Sequence, residues 1–507
     1  MVILLVAAAT VALYAPSLSG GFLADDVFYL RTLSAGDGAL ARAFSGPLLG
    51  SRETAFYRPL PLASLAVESA LWGTDRALGF RLVNLLLHLA NALLVGSIAA
   101  RVLARDGHPA PAPGILAGAL FALHPLAPEA VAWISGRFDL LATLFTLLSL
   151  RLAIAALGGH RRTARPGRTT RWPAFGLALV CFAAALASKE SAIGLPLAVA
   201  AWAALGERAP AGAEVAAGLR GAARRAWASC WPFVAVAAAY LALRLWALGT
   251  LVGGYRDAPL EWWQKEFWTV RLLAVLALVL PHPLLYQVPK KLTFCLLAYP
   301  ALGAAALAVL FRRAPAARRG ALFAALWLVA TLGPHFPVLA LQPTLENARI
   351  LYLSVAPLAL LVAAVLAPGG SVAERPAWLS TASLATAGLL VVGAAALLAQ
   401  TLAPWVEAGR TTRALRQEVV ALARTLPAEQ RAVVDGVPDH LEGALVLRNG
   451  EALARTPFVP SALDGRVELR VGDAPAAGRR SPDCGAPGVA PFRWEPATRR
   501  IVAADCD

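Results

Sequence analysis

The chain carries too little charge for a soluble fold. Only 15% of its 507 residues are Asp, Glu, Lys or Arg, while 58% are hydrophobic. The apolar residues come in long runs, and a run of about 20 crosses a bilayer as a helix. A soluble globular enzyme is thereby excluded. Lysine is scarcer still. It occurs only at 189, 265, 290 and 291, among 46 basic residues in all. The net charge of +15 is therefore carried by Arg, which sits in short loops between apolar runs. There it orients the spans by the positive-inside rule, and nucleic acid is set aside as a partner. Cysteine is sparse as well. Cys181, Cys230 and Cys295 fall in apolar runs and read as small buried side chains. Cys484 and Cys506 lie in a polar tail, where an oxidising space would let them form a disulfide. The first residues lack a basic stretch, so they read as an uncleaved first span.

The apolar runs cover 1–16, 80–101, 114–133, 139–157, 173–187, 191–206, 229–249, 267–281, 292–311, 320–341, 350–368 and 378–403. The Arg-rich loops 158–171, 206–225 and 312–319 should all be cytoplasmic. Three crossings between the last two would put them on opposite sides. The shortest of the three runs, 267–281, follows "EWWQKEFW", and clustered Trp marks a membrane interface. The segment 261–283 is therefore expected to be an interfacial or re-entrant helix. The expected fold is an α-helical polytopic membrane protein of eleven spans. Its N-terminus should be cytoplasmic. Residues 1–403 would form the transmembrane domain, with 17–79 as a first outer loop of short helices lying on the membrane. Residues 404–507 turn polar and should form a small α/β domain on the outer side. A helix is expected over 411–426, with strands at 431–436, 465–472 and 499–505. The bias to Arg and Ala suggests a GC-rich bacterium, hence an inner (plasma) membrane protein with a periplasmic tail.

With this topology the ionisable residues near the membrane gather on the outer side. Asp25 and Asp26 follow the first span, and Arg58 lies in the same loop. His124 falls midway along the run 114–133, with Glu129 near its outer end. Arg137 and Asp139 open the next span. Lys189 and Glu190 form an outer turn, as do Glu346 and Arg349; His282, Lys290 and Lys291 lie in another. A charge at the bilayer centre costs roughly 2.5–3.5 kcal/mol, so each needs a reason. Singly, each has a modest one. Asp139 suits a helix N-terminus, Arg137 can snorkel, Glu346 and Arg349 can pair along a helix. Lys189 and Glu190 can be a solvated turn, and His124 a packing residue. Gathered on one face, they suit a lipid-phosphate substrate. Arg58, Arg137, Lys189 and Arg349 would hold its phosphate, and a carboxylate would deprotonate an acceptor hydroxyl. That chemistry is sugar transfer from a polyprenyl-phosphate donor to a lipid, glycan or protein acceptor. The acid pair would either hold a divalent metal ion or act without one.

The stretches "ADD", "YRPL", "HPLAPEAVAWISGRFDLLATL", "ASKESAIGLPL" and "ENARILYLS" resemble, in this order, the membrane half of the transmembrane and tetratricopeptide-repeat O-mannosyltransferases and their bacterial relatives. These belong to the class C (GT-C fold) glycosyltransferases. The resemblance covers about residues 10–370, and the pattern HP-x3-EAVA-x3-GR-x-DLLA is its most specific part. It implies a lipid-phosphate sugar donor and a catalytic acid pair in the first outer loop, which maps onto Asp25 and Asp26. On an extended chain adjacent side chains face opposite ways, so one acid would act as base and the other would position the loop or a cation. Asp25 is the favoured base. The implied binding residues are Arg58, His124, Glu129, Arg137, Asp139, Lys189, Glu190, Glu346 and Arg349. The chain departs from the eukaryotic members in having a short α/β tail where they carry repeats. A flippase or ligase for lipid-linked glycans is the alternative, since it would bind the same head group. A secondary transporter would need repeated halves and broken midplane helices, and neither is evident.

Overall fold

The structure is a computed structural model. It describes residues 1–34, 38–46, 56–74, 76–104, 108–158, 168–205, 215–251, 263, 265–279, 315–339, 341, 344–366, 377–442, 444–447, 450–472, 484–504 and 506. The chain is mostly helical. In order the helices are α1 (Val2–Leu18), α2 (Asp25–Ser34), α3 (Ala39–Ser45), α4 (Pro59–Trp72), α5 (Leu78–Val102), α6 (Pro111–Ala122), α7 (Pro128–Ala132) and α8 (Arg137–Leu157). They continue as α9 (Arg168–Ser188), α10 (Leu195–Leu205), α11 (Val215–Leu248), α12 (Lys265–Ala277), α13 (Pro315–Leu332), α14 (Val355–Leu366) and α15 (Ala377–Thr425). Helices α4, α6 and α7 open on proline, whose missing N–H falls where no intrahelical partner exists.

Among the described residues five helical stretches are long and apolar enough to cross a membrane: Leu78–Val102, Ile134–Leu157, Gly218–Leu248, Pro315–Val338 and Thr381–Thr425. Val2–Leu18, Pro111–Ala122, Trp172–Ser188, Glu190–Leu205 and Val355–Leu366 are shorter apolar helices. The chain is a multi-pass membrane protein. Of the eleven expected spans, the run 292–311 lies outside the described residues, as do Cys295 and the turn with His282, Lys290 and Lys291.

The run 114–133 is not one helix, which corrects the sequence reading. Helix α6 stops at Ala122; a turn and α7 follow, then a short 3-10 turn at Ile134–Gly136. Pro125 and Pro128 explain the stop. Proline removes a helix donor and restricts the residue before it to extended backbone. His124 therefore sits in a turn beyond the helix end rather than midway along a span. A second difference lies in α15. The expected span 378–403 and the expected helix 411–426 are one helix of 49 residues. At ~1.5 Å per residue it is roughly 74 Å long, against about 30 Å of hydrocarbon. Its polar half must stand outside the bilayer.

Close packing of the bundle rests on small residues. A Cβ on Gly96 of α5 would lie 2.9 Å from the Gly114 carbonyl oxygen of α6, and one on Gly118 would lie 3.0 Å from that of Ala92. The spacing Gly114-x3-Gly118 lets the two backbones touch, as in other membrane helix pairs.

Beyond α15 lies a four-stranded mixed sheet of order β4-β1-β5-β6. Here β1 is Arg431–Val437, β4 Val467–Val471, β5 Val489–Glu495 and β6 Arg500–Ala503. Strand β1 runs parallel to β4 and β5, and β6 is antiparallel to β5. A small hairpin joins β2 (His440–Leu441) to β3 (Ala444–Leu445). The strand β5 was not anticipated, because "VAPFRWE" contains a proline and alternates poorly. Cys484 and Cys506 form the expected disulfide, with Cα atoms 5.6 Å apart. The tail touches the loop after α1: the Ala24 N–H donates to the Val446 carbonyl at 2.8 Å. The acid pair and the tail thus share one end of the helix bundle.

Candidate active site

Helix α2 begins at the acid pair. Asp25 and Asp26 occupy its first turn, where the helix dipole favours negative charge. Ala24 before them has φ 41°, an uncommon backbone for a residue with a Cβ. The two acids lie on a helix, about 100° apart, and not on opposite faces of an extended chain as expected. They still divide. Asp26 is 1% exposed. Its Oδ1 accepts from the Ser135 N–H at 2.8 Å and the Ser135 hydroxyl at 2.5 Å, and its Oδ2 from the Leu23 N–H at 3.0 Å. Burial raises the Asp26 carboxyl to about 6, against the pull of these hydrogen bonds and of Arg81. Asp25 is half-buried.

Tyr29, one turn along α2, reports what surrounds the pair. Burial pushes its phenol up; Asp25 adds to that rise, and Arg58 and Arg349 oppose it. Besides the acids of its own helix, two distant segments therefore bring a cation close enough to act on α2. Arg58, at the start of α4, donates to Glu190 through Nε at 3.1 Å and Nη2 at 2.5 Å. This is the two-pronged geometry that suits a carboxylate or a phosphate. Its guanidinium lies 3.9 Å from the centre of the Phe56 ring. Arg244 of α11 reaches the same carboxylate at 3.9 Å. The Arg349 N–H donates to Glu129 Oε2 at 3.0 Å, and its Nη1 pairs with Oε1. The guanidinium lies 4.7 Å from the Trp133 ring. Arg349 thus meets Glu129 across the fold, where the spacing pointed to its neighbour Glu346. Glu346 is half-buried between Leu345 (φ 67°) and Asn347 (φ 72°). Strained backbone of this kind gathers at functional sites.

The other expected residues are engaged by partners within the protein. Lys189 is not in a solvated turn: it is buried, and its Nζ donates to Asp139 Oδ1 at 2.6 Å. His124 accepts from the Leu126 N–H at Nδ1 (3.3 Å) and donates from Nε2 to the Leu278 carbonyl (3.0 Å). It is a satisfied packing histidine. Arg137 does not snorkel. It is fully buried, and its five N–H groups meet Asn84 Oδ1 (2.5 Å), Ser64 Oγ (2.7 Å), both oxygens of Glu68, and the Phe80 carbonyl (2.8 Å). No donor of Arg137 is left to hold a phosphate in this conformation. Gly136 beside it has a separate reason: a Cβ there would lie 2.1 Å from the Ala130 carbonyl.

Several residues of this end were not singled out from sequence. Arg81, Asn84, His88 and Asn91 form one buried polar stripe along α5. Arg81 holds the Ser17 carbonyl at 2.7 Å and that of Gly21. Asn84 donates to the Trp133 carbonyl at 2.8 Å. The His88 Nε2–H donates to the Ala122 carbonyl at 2.9 Å, so Nδ1 accepts from the Tyr352 hydroxyl at 2.8 Å. The spacing 81, 84, 88, 91 is itself a helical face and was visible in the sequence. Glu68 and Ser135 carried no such signal. Among the described residues no group of three or more His, Cys, Asp or Glu side chains gathers as a metal-ligand set.

No protein-family description matches the chain. Over 188 residues, 36% of this chain, it is 35% identical to the protein O-mannosyl-transferase Tmtc2 of Drosophila melanogaster, covering 19% of that protein. Over 101 residues, 18% of the chain, it is 39% identical to the protein O-mannosyl-transferase TMTC4 of Homo sapiens, covering 14% of it. The aligned parts span a fifth or less of these curated relatives. Among solved structures, ArnT from Cupriavidus metallidurans bound to undecaprenyl phosphate aligns with 93% of this chain and 86% of its own, at 16% identity and a TM-score of 0.43. The archaeal oligosaccharyltransferase AglB from Archaeoglobus fulgidus, in complex with an inhibitory peptide and a dolichol-phosphate, aligns with 85% and 62%, at 14% identity and 0.47. Likeness at that level decides nothing about chemistry. Over its matched stretches, the chain is a distant, partial homologue of the Tmtc-type protein O-mannosyl-transferases.

Proposed function

We propose that the chain is an integral membrane glycosyltransferase. It takes a sugar from a polyprenyl-phosphate donor and passes it to an acceptor hydroxyl at the membrane end where α2 meets the tail. The observation that carries this reading is the division of the acid pair. Asp26 is buried and accepts from three hydrogen-bond donors, while Asp25 is half-buried and acts on Tyr29 together with Arg58 and Arg349. The partial homology to O-mannosyl-transferases supports the same class.

Asp25 accepts the proton of the acceptor hydroxyl, whose oxygen attacks the anomeric carbon. The bond from that carbon to the phosphate oxygen breaks, and polyprenyl phosphate leaves with the electron pair. Arg58 and Arg349 hold the phosphate charge, each from a setting already shaped for an oxyanion. Asp26 positions the turn. The leaving group supplies the driving force, so no nucleotide is needed. Chelation of divalent ions during the assay decides between a base acting alone and one acting beside a cation.

The test is mass spectrometry of surface glycans and glycoproteins in a strain lacking the gene. One sugar-bearing species should disappear, return with the intact gene and stay absent with Asp25→Asn. An unchanged glycan and glycoprotein profile would overturn the reading. A lipid-linked glycan accumulating without any missing transfer product would favour the flippase alternative.

A further inference from the structure

The tail meets the acid-pair turn at more points than a tethered domain requires. The Ala24 N–H donates to the Val446 carbonyl at 2.8 Å, and the Gly21 N–H to the Gly409 carbonyl of α15 at 2.7 Å. Arg413 of α15 donates to the Ser19 carbonyl at 3.1 Å. Phe22 packs on Phe458 of the tail with ring centres 5.2 Å apart; both rings are buried. Trp405 stacks on Trp133 at 6.2 Å, and Trp133 in turn donates from Nε1 to the Leu23 carbonyl at 3.1 Å. Residues 19–24 are thus gripped nearly one by one. The fit is tight: a Cβ on Gly409 would lie 3.0 Å from the Gly20 Cα, and one on Gly21 would lie 2.7 Å from both the Arg413 nitrogen and the Thr412 hydroxyl oxygen.

The grip ends where the backbone is unusual. Ala24, at φ 41°, is the residue whose N–H the tail accepts, and Asp25 follows at once. A residue with a Cβ holds such a conformation only where its surroundings over-determine it. Asp26 fixes the turn from the membrane side through Ser135 and Leu23. Val446, Gly409 and Phe458 fix it from the other.

We propose that the C-terminal domain and the outer half of α15 are a built-in part of the reaction centre, acting as a clamp that sets the direction of Asp25. Phe458 and Gly409 are positioning residues. The proposal rests on the glycosyltransferase reading for its catalytic consequence, and on the clamp geometry alone for its structural one. A chain with this tail removed would keep the cations Arg58 and Arg349, which are held by Glu190 and Glu129 on other elements. Donor binding and turnover should therefore separate.

The experiment uses the full-length chain in lipid nanodiscs with Phe458→Ala, Phe458→Leu and Gly409→Ala. A misplacement of about 1 Å can cost roughly 100-fold in rate, so kcat per folded molecule should fall about 10- to 100-fold in Phe458→Ala and Gly409→Ala. The KM for the polyprenyl-phosphate sugar should stay within about twofold, because its cations lie elsewhere. Phe458→Leu, which refills most of the space, should recover most of kcat. Hydrogen exchange at the Ala24 amide, slow in the intact chain, should quicken in Phe458→Ala, and it reads the clamp whether or not transfer is assayed. Unchanged kcat in both variants, or an Ala24 amide that exchanges equally fast in all forms, overturns the clamp. An intact chain that transfers no sugar sinks the glycosyltransferase reading instead, and the catalytic half of this proposal with it.

Discussion

Arg137 separates the structure from the sequence most sharply. Read from sequence, it is a cation for the donor phosphate, and Arg137→Ala should weaken binding without unfolding the protein. In the structure it is 0% exposed, and its partner Glu68 is 4% exposed. Removing the guanidinium leaves a buried carboxylate without its cation. Breaking such a pair costs about 3–5 kcal/mol, or roughly 2 to 4 powers of ten in the folding equilibrium. Asn84 Oδ1 and the Phe80 carbonyl lose donors too, so the low end is a floor. Replacing both partners by apolar residues of similar volume is often neutral, so Arg137→Met with Glu68→Leu should be more stable than Arg137→Met alone. The assay is denaturant unfolding of purified protein in a fixed detergent, with donor affinity measured on the folded fraction. The single variant should lose stability, and its folded fraction should bind donor as the intact protein does. An Arg137→Ala protein of normal stability and weakened donor binding would refute the buried-brace account and restore the earlier expectation.

Measured on the folded fraction, since Glu129 is left without its cation, Arg349→Ala should weaken donor binding by about 10- to 100-fold, the worth of one charge-assisted contact of roughly 1.5–3 kcal/mol; unchanged affinity would place the phosphate elsewhere. Asp26 gives a pH signature. Its folded carboxyl sits at about 6 against an ordinary 3.8, so the folded state holds a proton that the unfolded chain releases. Stability from this group is therefore larger at low pH and falls as pH rises through that window. Asp26→Asn should flatten that slope, and a slope unchanged by the substitution would contradict the burial. A reporter fused after Trp405 should be active only on the outer side of the membrane, and cytoplasmic activity there would reverse the topology.

Much of the architecture was legible because lipid leaves few options. Among the described residues the apolar runs are largely helical, and the polar tail carries a mixed sheet with the anticipated cysteine pair. The failures have physical causes. "HPLAPEAVAW" is apolar enough to pass for membrane helix, yet Pro125 and Pro128 break it into a turn and five helical residues. Composition alone weighs those prolines too lightly. In α15 the hydropathy falls midway while the helix continues, because backbone geometry does not depend on what solvates the surface. At the site, the spacing did not show which partners the charged residues meet. Arg58 meets Glu190 across 132 positions, and Arg349 meets Glu129 across 220. Sequence spacing informs only on contacts three or four apart, so it offered Glu346 for Arg349. The stripe Arg81, Asn84, His88, Asn91 is the converse case: its helical period stands in the sequence, inside an otherwise apolar run.

The most direct measurement is sugar transfer by purified protein in lipid nanodiscs, with a polyprenyl-phosphate sugar as donor, comparing Asp25→Asn with Asp26→Asn. Losing a positioned base costs about 100- to 10,000-fold. Asp25→Asn should fall by that much while still binding donor, and Asp26→Asn should lose less per folded molecule. Full activity in the Asp25→Asn, Asp26→Asn double variant would contradict the account at its centre.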